Sequence, residues 1–114
     1  MSIEIDKVSE KYKKYLEDIP IELRITVSRL RDYKRWAVYN ALFKKGKMSF
    51  SEIKDLFEDD PEETERVLKD LKAARLISKF VERVEDLGDR EKTYYEVTEF
   101  GKDFYNTFTD LYKL

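Results

Sequence analysis

The stretch 48–102 constrains this chain more than any other, because it sets two helix starts within a dozen residues and follows them with two extended runs. Ser49, with Glu52 three residues on, has capping-box spacing: the hydroxyl accepts from a free first-turn amide and the carboxylate takes the reciprocal bond. Ile53, Leu56 and Phe57 give the short helix that follows its apolar face. Asp60 before Pro61 is a second start, since Asp accepts from free amides, proline suits the first helical position, and Glu63 repeats the capping spacing. Val67, Leu68, Leu71 and Ala74 then form an inward stripe that ends at Leu76 and Ile77. Segments 77–85 and 91–97 have β character and are separated by a turn around Asp86, Leu87, Gly88 and Asp89, the pattern of a hairpin. Thr98 is placed to cap a closing helix in which Phe100, Phe104, Phe108 and Tyr112 recur every four residues, with Leu111 beside them.

Upstream, Val8, Tyr12, Tyr15, Leu16 and Ile19 fall at helical spacing, opposite Lys7, Lys11, Lys13 and Lys14, which predicts an amphipathic helix over 6–19. Pro20 disfavours helix at Ile19 and suits the start of another. Segment 21–31 alternates like a strand yet also keeps helical spacing at Leu23, Val27 and Leu30, and helix is the reading preferred. Over 32–45 two stripes, Trp36, Tyr39, Phe43 and Val38, Ala41, Leu42, predict a helix buried on more than one side. Gly46 ends it after Lys44 and Lys45, which suit the negative end of the helix dipole.

At 114 residues and 41% apolar content the chain has the size of one domain with a modest core. Cys, His and Gln are absent, which removes disulfides, thiolate and imidazole metal ligands, and the usual nucleophile and base pairs. Neither an enzyme nor a cofactor or metal site is expected. The carboxylates, alternating with Lys and Arg on predicted helices, read as solvated faces. No run approaches the length of a membrane span, and the charged start is no signal peptide, so a cytoplasmic protein is expected. A charged content of 42%, rich in Lys and Glu, matches the composition of hyperthermophile proteins and suggests a thermophilic archaeal or bacterial source.

With these elements in order, the chain resembles the winged helix-turn-helix regulators of the ArsR and MarR type, including short archaeal one-domain versions. The resemblance covers 35–102 and rests on the helix over 35–43, on MSFSEIKDLF, on VLKDLKAARLI and on TYYEVTEFGK. It implies a mainly α (α+β) winged helix-turn-helix with extra N-terminal and C-terminal amphipathic helices. The division expected is 1–31 as helical extension, 32–97 as helix-turn-helix core and wing, and 98–114 as closing helix. It further implies that Tyr95 and Val97 face the core, and that Leu68, Leu71, Leu76 and Ile77 fix the reading helix onto it. The turn after that helix usually carries glycine in the family, whereas this chain has Arg75.

The charge pattern runs against the resemblance. Residues 48–74 carry four bases (Lys54, Arg66, Lys69, Lys72) against nine acids, a local net of −5, while 29–47 carry seven bases against Asp32 alone, a net of +6. Duplex DNA is bound through cations that neutralise phosphates, and carboxylates in the major groove are repelled unless each meets a cytosine amine. Dipole and capping account for some acids at the start of the reading helix, and Glu65, Lys69 and Lys72 suit surface pairing with one another. The residues left to contact duplex DNA are Ser51 and Lys54, then Arg66 and Lys69 on the reading helix, Arg83, Arg90 and Lys92 in the wing, and Arg35 and Lys47 in the basic segment.

Tyr12 and Tyr15 in the first helix, with Phe104, Phe108, Leu111 and Tyr112 in the last, lie outside the family's central core and suggest homodimerisation across a two-fold axis; the alternative is that they cover their own domain. A dimeric DNA-binding transcription regulator is the function expected. The competing reading is a protein-interaction module whose acidic reading helix docks a basic partner. If the basic segment shares a face with Arg66 and Lys69, DNA gains; if it lies opposite, the partner gains.

Overall fold

The computed structural model describes Thr26, Arg29, Leu30 and residues 32–111, without the side chains of Phe108 and Leu111. The expected helix over 6–19 with Tyr12 and Tyr15, most of 21–31, and Tyr112 lie outside the described residues.

Helix α1 (Tyr33–Lys45) starts at Asp32, whose carboxylate accepts from the Arg35 amide at 3.0 Å, and stops at Gly46, whose φ of +88° suits a residue without Cβ. Arg35, Val38, Tyr39 and Leu42 form its buried stripe at i, i+3, i+4 and i+7. After β1 (Met48–Ser49) comes α2 (Phe50–Phe57), with the expected capping box complete: Ser49 Oγ accepts from the Glu52 amide and Glu52 Oε1 from the Ser49 amide, each at 3.1 Å. Helix α3 (Pro61–Ala73) opens on Asp60, which accepts from the Glu63 amide at 2.7 Å.

Strands β2 (Ile77–Val81) and β3 (Thr93–Val97) pair antiparallel with Ile77 opposite Val97, and β1 adds to the other edge of β3, giving the order β1-β3-β2. Helix α4 (Glu99–Leu111) closes the chain. This is a winged helix-turn-helix. One core joins all its layers, with Tyr39, Leu42, Phe50, Ile53, Leu68, Leu71, Leu76 and Ile77 almost fully buried and Tyr95 and Val97 facing inward. Among the described residues no helix is long and apolar enough to cross a membrane.

Three features depart from the expected layout. The wing strands are shorter than 77–85 and 91–97, because single 3-10 turns at Val84–Asp86 and Arg90–Lys92 occupy the tip. Strand β1, two residues long, is too short to leave an alternation in sequence. Finally, α3 ends at Ala73 instead of running to Leu76. There the Leu76 amide donates to Leu71 O at 3.1 Å and the Arg75 amide to Lys72 O at 2.9 Å, a Schellman arrangement. Arg75 sits at φ +63°, so the position where the family carries glycine keeps the left-handed backbone and bears a side chain there at a cost. Arg75→Gly is expected to stabilise the fold by about 1 kcal/mol, a Tm rise of about 5 °C, and Arg75→Val to lower Tm, both read by thermal melting.

The TEFG segment explains how α4 is held. Thr98 Oγ1 accepts from the Gly101 amide at 2.9 Å, capping α4, and donates to Arg75 O at 2.7 Å; the Thr98 amide donates to Leu76 O at 3.0 Å. One threonine thus joins the end of α3 to the start of α4. Further along, the Tyr39 hydroxyl donates to Gly101 O, Tyr105 donates to Asn40 Oδ1 at 2.6 Å, and the Tyr105 ring stacks on Phe43 at 3.8 Å. Tyr105 and Asn40 were not distinguished by sequence pattern, since neither falls on the every-fourth aromatic stripe.

Candidate nucleic-acid interface

Nine acids in 48–74 were the obstacle to a DNA-binding surface, and most of them have local work. Glu52 and Asp60 cap helices α2 and α3. Asp59 accepts from Lys34 Nζ at 3.0 Å, and Glu63 lies 3.7 Å from the same ammonium while also pairing with Arg66. Asp55 pairs with Lys54 at 3.1 Å. Asp70, on the flank of α3 that faces α1, accepts from Arg35 Nε at 2.9 Å and Nη2 at 2.6 Å, and from Arg29 at 3.4 Å. Arg29, Lys34 and Arg35 of the basic segment are therefore counterions to Asp59, Glu63 and Asp70 of the acidic one, brought together by the packing of α1 on α3.

Arg35 is consequently a correction to the sequence reading. It is 2% exposed and committed to Asp32 and Asp70, so it does not reach phosphate. The arginine was placed among the phosphate contacts because it lies in the basic segment 29–47; pairing on both sides is what makes its burial tolerable. Lys47 is exposed but holds Glu82 at 2.7 Å across the base of the wing, with its ammonium 5.4 Å from the Tyr94 ring centroid.

The solvent face of α3 carries Glu62, Glu65, Arg66, Lys69 and Lys72, at spacings that keep them on one side of the helix. Its acids lie in the first half and its bases in the second, continued by exposed Arg75 in the turn. Among the described residues Lys69, Lys72 and Arg75 make no side-chain ion pair or hydrogen bond. Glu65 pairs not with Lys69, as the helix spacing suggested, but with Arg90 of the wing at 3.1 Å. Arg90 also lies over the Phe50 ring, 4.9 Å from its centroid, so its role is to tie the wing to the base of α2 and α3. Between α3 and the wing is an open groove of about 320 Å3 lined by Glu65, Lys79, Leu87 and Arg90 among others.

The other candidates are scattered. Ser51 is half-buried in the first turn of α2, with Lys54 one turn on. Lys92 is 3.7 Å from Asp86 within the wing, while Arg83 is exposed and makes no ion pair or side-chain hydrogen bond among the described residues. Sequence reasoning missed Arg75 as a contact candidate and set Lys72 aside as a surface pair; the helical repeat from Arg66 through Lys69 was the signal for Lys72. Phe104 packs partly buried on the core of its own chain, with its ring 6.2 Å from that of 40%-exposed Phe100. Among the described residues no cluster of three metal-ligating side chains occurs.

Two cross-element ion pairs leave a titration signature. The Lys34 hydrogen bond holds the Asp59 carboxyl below the ordinary 3.8, and the Lys47 hydrogen bond, helped by Tyr94, holds Glu82 below 4.5. A carboxyl whose folded pKa is depressed adds stability above its unfolded value and loses it as pH falls through the folded one. Stability is therefore expected to decline on acidification below those ordinary values. An Asp59→Asn, Glu82→Gln double variant gives a flatter acid limb in urea midpoints measured from neutral pH downward. At the alkaline end Lys34 and Lys47, raised by the same bonds, keep their pairing past the ordinary 10.5.

Comparison with solved structures places the fold. The chain superposes on NolR from Sinorhizobium fredii (TM-score 0.62, 17% identity, 92% of this chain and 94% of that one). It is similarly close to a transcriptional regulator homologue from Pyrococcus horikoshii OT3 (0.61, 22%, 80% and 89%). Staphylococcus aureus MarR, solved with salicylate and kanamycin, matches at 0.62 and 20% identity over 90% of this chain but only 64% of its own length. At these identities the likeness is one of fold. No protein-family model and no curated protein sequence matches the chain.

Proposed function

We propose that the protein is a cytoplasmic, non-enzymatic transcription regulator that binds duplex DNA as a homodimer through its winged helix-turn-helix. The observation that carries this reading is the internal neutralisation of the acids: with Asp59, Glu63 and Asp70 paired to Lys34, Arg66 and Arg35, and Glu65 to Arg90, the outer face of α3 keeps Lys69 and Lys72 as bases unpaired among the described residues, against Glu62, followed by Arg75. Lys69, Lys72 and Arg75 supply phosphate contacts from the reading helix, Arg83 supplies one from the wing, and Ser51 and Lys54 add contacts at the start of α2. The structural neighbours include transcriptional regulators, which supports the same reading. Two copies joined through the terminal helices, at exposed Phe100 and at the sequence positions of Phe108, Leu111 and Tyr112, would set two reading helices one DNA turn apart.

A Lys69→Ala, Lys72→Ala variant is expected to bind generic duplex DNA about tenfold more weakly than wild type at low salt, with an unchanged melting temperature, in fluorescence anisotropy. Equal retention of both proteins would remove α3 from the interface. The reading in which the outer face of α3 docks a basic partner is not favoured, because that face is no longer acidic once its internal pairs are formed.

A further inference from the structure

The three helices of the core leave an opening on the side formed by the start of α1, the end of α2 and the first half of α3. It is a cleft of about 350 Å3 whose walls are largely Ala37, Val38, Ile53, Phe57 and Val67. Tyr33, 78% exposed, and Phe57, 37% exposed, border it, with Lys34, Glu58 and Asp59 at the polar edge. None of the cations assigned above to DNA lines it.

We propose that this cleft docks a basic segment of a partner protein, which inserts one aromatic or branched aliphatic side chain between Tyr33 and Phe57. Size and surface argue for a protein segment: the volume suits an anchor side chain, and the exposed rings of Tyr33 and Phe57 at its border offer further apolar surface to the residues flanking that anchor. Charge argues for a basic one. Lys34, the one cation lining the cleft, is held by Asp59 at 3.0 Å and Glu63 at 3.7 Å, so an anionic occupant would have to displace a carboxylate. Glu58 makes no ion pair among the described residues and is exposed at the lip. It caps the C-terminus of α2 in the left-handed conformation, φ +50°, so its charge adds to the negative end of the helix dipole. A Lys or Arg beside the anchor meets Glu58 there.

The test titrates isotope-labelled full chain with two synthetic peptides that share a central Phe, one flanked by Lys and Arg, the other by Glu. The basic peptide shifts the amide signals of Ala37, Val38, Phe57 and Thr64 saturably, and the acidic one binds about tenfold more weakly or not at all. Tyr33→Ala and Glu58→Lys each weaken the basic peptide about fivefold without lowering Tm, since both side chains are exposed. Tyr33→Ala leaves duplex DNA affinity unchanged, so this proposal and the DNA reading stand or fall separately. Equal affinity for the two peptides, shifts confined to α3's outer face and the wing, or variants that bind like wild type would each overturn it.

Discussion

Replacing Gly101 with alanine destabilises the protein by about 2–3 kcal/mol, a fall in Tm of about 10 °C, although in most helices that change stabilises by up to about 1 kcal/mol. The reason is how closely α4 crosses the turn after α3. A Cβ at Gly101 would overlap the Leu76 carbonyl oxygen and stand 2.7 Å from Val97 Cγ1. The Leu76 oxygen cannot step aside cheaply, because it accepts the Thr98 amide that begins α4. Shifting α4 outward would also pull Gly101 O from the Tyr39 hydroxyl, leaving a buried phenol without that acceptor. Thermal melts of Gly101→Ala against Asn106→Ala, an exposed position on the same helix, separate the clash from a general effect on α4.

Asp70→Ala is expected to cost about 3 kcal/mol, seen as a lower urea midpoint with an unchanged slope. Removing this carboxylate leaves the Arg35 guanidinium buried with Asp32 as its remaining acid partner, and Arg29 without its α3 partner. A buried charge that loses its partner costs more than the pair itself contributed, so Arg35→Met combined with Asp70→Leu should recover much of the loss. The recovery distinguishes a desolvation effect from damage to α3, because helix propensity alone would favour Ala over Asp.

These two sites show what the sequence displayed and what it hid. The helix starts at Ser49 and Asp60 were legible because capping is local, decided by residues three apart. Gly101 was visible only as part of a resemblance; the need for glycine arises from the approach of Leu76, twenty-five positions earlier in the chain, and no local pattern reports that. The candidate site was less legible than the fold for the same reason. Counting charges by segment gave the correct totals but the wrong surface, since Lys34 meets Asp59 across 25 positions and Arg35 meets Asp70 across 35. Charge on a face is a tertiary quantity. Arg35 moved from the proposed interface to the core through a contact between α1 and α3 that a linear reading does not contain, while Lys72 and Arg75 stay exposed and unpaired among the described residues.

The central claim is that internal pairing leaves Lys69, Lys72, Arg75 and Arg83 of the reading helix, its turn and the wing unpaired among the described residues and available to duplex DNA. Its most direct test is the salt dependence of duplex binding by the wild-type chain. With Lys69, Lys72, Arg75 and Arg83 each neutralising one phosphate, and Lys54 already neutralised by Asp55, log K against log salt should fall linearly with a slope of about −3.6 per protomer, near −0.9 for each contact. No binding at low salt, or binding with a slope near zero, would contradict it.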